Sequence, residues 1–458
     1  MPTAPTQPGT PDTPMDWERL ITDKRFGLED LHVPRRGSRT DFQRDFDRLV
    51  FSSPFRRLQN KTQVFPLPGS IFVHNRLTHS VEVASVGRSM ANEVTKLLLP
   101  RHRGTPAEKS LESIGEIVAA ACLAHDMGNP PFGHSGEKAI ATFFSEGAGA
   151  FLRDRLTAAQ WADLVHFEGN ANALRVLTHR FHGRREGGFA MTYPMLASIV
   201  KYPWSSGLAG ERDKFGFFTS EHATWRRIAT ELGIPALEAP EGEMRYARHP
   251  LVYLVEAADD ICYEVMDLED ANKLKIIPAD RIISRFLSFI PEERRAHTTA
   301  VMESIEDPNE KIAYLRSGVV GELVSACAAV FADNEELILA GRFSGRLLDH
   351  IPPRLADAYK SCDALSWEKI YRAREVVDVE LAGNRIISFL LEKLVGAVVE
   401  PQLNYSRLLL SQVPRQYDVN ADDLFTKIQA VLDHVSAMTD VYALDLFRKL
   451  NGMSLPAV

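Results

Sequence analysis

A chain of 458 residues, 45% hydrophobic, 25% charged and 9% aromatic, has a globular composition and enough length for a deep core, which excludes the disordered and fibrous classes. Its 53 Lys and Arg against 61 Asp and Glu give a formal charge of -8, so no overall positive field recruits nucleic acid or anionic lipid, and any polyanion site must be local. Cys122, Cys262, Cys327 and Cys362 are far apart without a CxxC pair and read as reduced core thiols. No apolar run approaches the roughly 20 residues that span a bilayer. The Pro- and Thr-rich start, MPTAPTQPGTPDTPMD, lacks the basic and apolar blocks of a signal peptide, so the expectation is a cytoplasmic protein without a membrane partner.

Residues 1–38 read as a flexible tail and lead-in. Helical periodicity begins near Asp41, with Phe42, Phe46, Leu49, Val50 and Phe55 at near-helical spacing. The segment 62–73, TQVFPLPGSIFV, places two β-prone runs around a Pro-Gly turn and predicts one small β-hairpin. Helices are then expected over about 77–99, 110–126, 136–146, 168–182, 194–201, 221–232 and 250–272, with Pro and Gly at their ends. Pro278-Ala279-Asp280 suits a seam between a core of 39–277 and a C-terminal helical region, 278–458, with segments at 307–341, 366–377, 382–399 and 421–450. The fold expected is all-α.

The helix that leads up to 126 is apolar on nearly every side and therefore buried, and it ends in His125 and Asp126. An adjacent imidazole and carboxylate at a buried C-terminal end are costly unless a cation compensates them. Alone, such a dipeptide is as easily satisfied by backbone groups, so it needs company. His79, at the opening of an amphipathic helix, supplies an imidazole. In the 249–272 helix, Val255 and Cys262 flank Asp259 and set its carboxylate beside the buried stripe, where it needs a partner; Tyr263 and Asp267 follow on the same face. Two imidazoles and two carboxylates suit Mn, Fe, Mg, Co or Zn, and such a centre suits phosphate-ester hydrolysis.

The order His79, His125-Asp126, Asp259 resembles the HD phosphohydrolase superfamily. The words RLTHSVEVASVGR (76–88), AHDMGNPPFGHSGE (124–137), FEGNANALR (167–175), KYP (201–203), KFGFF (214–218) and EAADDICYEVMDLEDA (256–271) resemble its bacterial dGTP triphosphohydrolase branch. That resemblance covers about residues 35–275 and implies an HD helical bundle with additional C-terminal helices that complete the pocket and the oligomer contacts. It implies His79, His125, Asp126 and Asp259 as ligands of a divalent metal (Mn, Mg, Fe or Co) and His134 with Glu137 as the catalytic pair. His134 as general acid and His134 as positioner of the nucleophile both stay open. Arg76, Lys201, Tyr202 and Lys214 are implied to hold the triphosphate, and Gln63, Tyr263 and Asp267 to read the sugar. The implied reaction is attack of water on the α-phosphorus of dGTP or another dNTP, releasing deoxynucleoside and tripolyphosphate, in a homo-oligomer (tetramer or hexamer). Asn129 stands where vertebrate relatives carry a further histidine; an amide cannot relay protons as imidazole does.

Rival readings are another HD phosphohydrolase, such as a nucleotide 5′-monophosphatase or a cyclic or alarmone phosphodiesterase, and a non-catalytic nucleotide- or single-stranded-DNA-sensing HD module. Arg180, His182, Arg184 and Arg185 around Phe181 form a basic-aromatic run for which a solvated loop is the default reading and contact with single-stranded DNA or an effector nucleotide the alternative. His166, His179 and His222 are spare candidates. No GxxxxGK stretch is present, which removes P-loop enzymes.

Overall fold

Apolar stripes at helical spacing fold as helices throughout the residues described by this computed structural model, which are 14–30, 38–65 and 73–453. The first long helix, α1 (Asp41–Val50), starts where Thr40 and Gln43 cap each other's backbone, and its Phe42 and Leu49 turn inward. In α2 (Arg76–His102), Asn75 caps the start by accepting the Leu77 and Thr78 N–H groups, which holds Arg76 and His79 in the first turn. The next helix, α3 (Ile114–Ala124), is buried on almost every side and ends one residue before His125.

The catalytic candidates stand at the start of α4 (His134–Ser145). Glu168 caps α5 (Gly169–Thr178), and α6 (Val252–Lys273) carries Asp259. The C-terminal part contributes α7 (Pro308–Asp333), α8 (Pro353–Lys369), α9 (Arg374–Val399), α10 (Leu424–Ser436) and α11 (Asp440–Leu450).

Two apolar cores result. One gathers α1, α2, α3, α6, α7 and α8, with Ile117, Leu123, Val255 and Phe331 wholly enclosed. The other lies between α4 and α9 to α11, around Phe144, Leu390 and Ile428. Helix α5 straddles them: Ala171 belongs to the second, Leu174 and Leu177 to the first. Arg175 on α5 fixes the junction, donating from Nε and Nη2 to the two carboxylate oxygens of Asp433 on α10, each at 2.8 Å, and from Nη1 to Glu221 at 2.6 Å. Within the lead-in, Trp17, Leu20 and Phe26 pack into the first core, while residues 1–13 and 31–37 lie outside the described residues.

Several sequence expectations are corrected. No strand occurs among the described residues, so the hairpin over 62–73 is not supported. Its residues 66–72 lie outside the described residues, and its base is one isolated bridge between Thr62 and Asn75. The Thr62 N–H turns instead to a carboxylate oxygen of Asp440. The helix expected over 366–377 is interrupted between Lys369 and Arg374, and that over 421–450 between Ser436 and Asp440, where Thr439 caps the second half. Helix α7 is, by length and composition, apolar enough to cross a membrane, contrary to expectation; it packs against α2 and α6, and its apolar residues include Leu315, Val319, Leu323 and Phe331 of the first core.

Candidate active site

Three donor groups, from α2, the exit of α3 and α6, converge on one point, and none of them is on the wall of the cleft that His134 and Tyr263 line. The ligand-capable atoms of His79, His125 and Asp259 all lie within 4.8 Å of one another. The His79 and His125 Nε2 atoms stand 3.1 Å and 3.3 Å from Asp259 Oδ1. Nδ1 of His125 meets the Cys122 carbonyl at 2.6 Å, which sets its tautomer and leaves Nε2 as a lone-pair donor. That Nε2 is buried and has no hydrogen-bond partner. An orphaned imidazole nitrogen aimed at a carboxylate and a second imidazole fits a divalent cation of borderline softness.

Asp126 adjoins this group, its Oδ1 3.6 Å from His125 Nε2. Both of its oxygens are already engaged: Arg76 donates to Oδ2 at 2.7 Å and the Asn129 amide to Oδ1 at 2.6 Å. Burial pushes the Asp126 carboxyl up, but Arg76 and the two histidines outweigh it and hold the group at about 2. Asp259 behaves alike. Burial is outweighed by Lys201, whose Nζ lies 2.5 Å from Oδ2, and by His125, so the carboxyl stays well below its usual range.

The implied phosphate-holding cations are thus each paired with an acid: Arg76 with Asp126, Lys201 with Asp259, and Lys214 with Glu168 at 2.7 Å. Lys214 stands on the wall of the cleft, whereas Arg76, Lys201 and Tyr202 do not; the Tyr202 ring lies against Trp204, centroids 5.5 Å apart.

The cleft has a volume of about 750 Å³ and is lined by parts of α4, α6, α8 and α9. On one side the exposed His134 imidazole bonds through Nδ1 to Glu137 Oε2 at 2.8 Å. Glu137 is itself buried and takes the Gly169 N–H on Oε1 at 2.9 Å. A Cβ on residue 169 would come within 2.5 Å of that oxygen, so the close approach of α5 to Glu137 requires glycine. The charge of Glu137 raises the His134 pKa above the ordinary histidine value.

On the other side, Gln63 and Tyr263 face the cleft, and the Gln63 Oε1 is buried without a partner. Asp267 is set back from the wall and accepts the Tyr371 hydroxyl at 3.1 Å. Tyr371 also stacks on Tyr263, with centroids 6.0 Å apart and planes 19° apart. Sequence reasoning missed Tyr371, because it lies in the helix break after α8, away from every motif word. It also missed Glu168, although FEGNANALR contains it, and the acids Asp260 and Glu264, which burial pushes up to about 7 and about 8 at the cleft wall.

The spare histidines are occupied elsewhere: His166 pairs with Asp213, His179 lies beside Arg175, and His222 packs on Phe217. In the basic run, Phe181 is buried beneath Arg184, 5.6 Å from the ring centroid, and is not presented for stacking on a base.

The family model described as HD domain matches residues 76–193, and that described as phosphohydrolase-associated domain matches residues 350–449. A deoxyguanosinetriphosphate triphosphohydrolase-like protein of Pseudomonas aeruginosa is 36% identical over 452 residues, covering 97% of this chain and 100% of the relative. A protein of the same description from Synechocystis sp. is 34% identical, covering 96% of this chain and 100% of its own. The deoxyguanosinetriphosphate triphosphohydrolase of Yersinia enterocolitica is 29% identical, covering 89% and 93%. With a full-length relationship at this identity and an HD domain whose His and Asp side chains meet at one point, the chain belongs to the deoxyguanosinetriphosphate triphosphohydrolase-like family of HD-domain phosphohydrolases.

Proposed function

We propose that the chain hydrolyses dGTP, and other dNTPs with it, to deoxynucleoside and inorganic tripolyphosphate, with water attacking the α-phosphorus. The observation that carries this reading is the meeting of the His79, His125 and Asp259 donors beside a cleft that also presents the His134–Glu137 pair and a lysine. His79, His125, Asp126 and Asp259 would hold the divalent cation. When bound, such an ion supplies Lewis acidity toward a phosphoryl oxygen and acidifies water.

The remaining work falls to the chain's own side chains. Glu137 holds a proton on His134 Nδ1 and leaves Nε2–H free to meet the departing 5′ oxygen. Lys214, Lys201 and Arg76, with the Tyr202 hydroxyl, take the triphosphate oxygens as its negative charge displaces their present acid partners. Gln63 Oε1 accepts from the 3′ hydroxyl, and the Tyr263 ring, braced by Tyr371 and Asp267, fills the space a 2′ hydroxyl would need. A homo-oligomer acting in the cytoplasm completes the reading, and exposed Leu403, Tyr405, Leu408 and Val441 offer apolar surface for assembly.

The test is chromatographic product analysis with each dNTP, and with GTP as control, in Mn and in Mg. Deoxyguanosine with intact tripolyphosphate is expected, absent with GTP and with Asp126→Ala. Orthophosphate released from monophosphates, with dNTPs untouched, would replace this reading by a monophosphatase.

A further inference from the structure

The loop that delivers His134 is fastened by two titratable residues that do not line the cleft, one of which, Asp440, belongs to the C-terminal side of the molecule. Asp440, at the start of α11, accepts two backbone N–H groups, Thr62 on Oδ2 at 2.8 Å and Phe132 on Oδ1 at 2.9 Å. Lys61, only 2% exposed, donates through Nζ to the carbonyls of Asn129 at 2.6 Å and Ser436 at 2.7 Å. The residue before Gln63 and the residues five and two positions before His134 are thereby tied to one corner, the α10–α11 turn.

The fastened loop is one that would not hold its shape alone. Phe132 and Gly133 both have left-handed backbone, φ 64° and 57°, and a phenylalanine adopts that region only where its surroundings impose it. Helix α9 helps impose it: Gly383 sits so close that a Cβ there would lie 2.8 Å from Phe132 Cβ. The C-terminal region therefore bears directly on the side chain and the N–H of Phe132, and through Lys61 on the Asn129 carbonyl, in the segment that aims His134.

We propose that Asp440 and Lys61 are positioning residues, through which the α10–α11 corner sets the placement of His134 and Gln63 relative to substrate. This rests on the assignment of His134 as a catalytic group in the preceding subsection. A corner that merely held the fold together would affect stability without making the contribution of His134 depend on it.

The decisive variant is Asp440→Asn, which keeps the size of the side chain but cannot accept both N–H groups. With metal content and circular dichroism matched to wild type, amide hydrogen exchange should rise in peptides spanning 129–133. Turnover of dNTP should fall about 10- to 100-fold in kcat, as expected for misplacement of a catalytic group by about an ångström. Coupling is the discriminating measurement: His134→Ala should cost about 100-fold in the wild-type background, but only about 1- to 10-fold in Asp440→Asn, in proportion to what Asp440→Asn has already lost. Independent, multiplying effects of the two substitutions, or unchanged exchange over 129–133, would overturn the proposal. If Asp440→Asn does not fold, Asp440→Glu serves, since its extra methylene keeps the charge but breaks the register of the two N–H bonds. Wild-type protein that turns over no dNTP would sink the proposed function, while the exchange measurement would still decide whether the corner holds the loop.

Discussion

A histidine beside a buried carboxylate keeps its proton to higher pH than a free one, and here the carboxylate is Glu137, 2.8 Å from His134 Nδ1. If His134 donates a proton to the leaving oxygen, activity is lost as pH rises through that raised pKa. Glu137→Gln removes the charge that raises it, so the alkaline limb of the kcat profile should move to lower pH. At neutral pH kcat should fall about 10- to 100-fold, within the usual worth of general acid catalysis. Rate profiles of the two proteins check this, and an unmoved alkaline limb would assign the limb to another group. The Asp126 and Asp259 carboxyls remain charged throughout the range of such a profile, because their cationic neighbours hold both low.

Helix α5 is the element on which the two cores depend. Its Arg175 is buried and shared between Asp433 and Glu221, so removing the guanidinium leaves two acids enclosed without their partner. Arg175→Ala should destabilise by about 3–5 kcal/mol in urea denaturation, the usual cost of orphaning one side of a buried ion pair. Arg175→Lys should recover only part of that, because an ammonium cannot match both oxygens of Asp433. Equal stability of the three proteins would mean that the C-terminal helices hold to the core without help from this ion pair.

At the scale of the molecule, the ligands of the proposed metal are drawn from α2, the α3 exit and α6, so only the folded chain brings them together. A cation that binds the folded state alone stabilises it by mass action, about 2.7 kcal/mol at a concentration 100 times its Kd. Thermal unfolding should therefore shift upward on titration with Mn or Mg and return on chelation. Asp126→Ala should abolish most of that shift. An upward shift of the same size in the variant would place the ion elsewhere. The net charge of -8 also bears on this scale, since the substrate is an anion and must be drawn by local cations rather than by the protein's overall field.

Local signals carried the all-helical reading and singled out His79, His125 and Asp259, whose donor atoms the fold brings together. An apolar helix ending in His125-Asp126, and an acid set beside a buried stripe at Asp259, are visible in sequence because helical spacing alone decides which side chains share a face. The helix break at 370–373 has no Pro or Gly and was not legible, because Tyr371 is placed there by its contacts with Asp267 and Tyr263; the break at 437–439 does carry a local signal, the Thr439 cap, which the sequence reading passed over. At the base of the expected hairpin, β-propensity likewise cannot foresee that the Thr62 N–H is taken by an acid 378 positions away. Only the tertiary structure paired Arg76 with Asp126 and Lys201 with Asp259, stacked Tyr371 on Tyr263, and tied the His134 loop to Asp440. Charge, protonation and aim depend on distances through space, and those are set by packing between segments that the sequence keeps far apart.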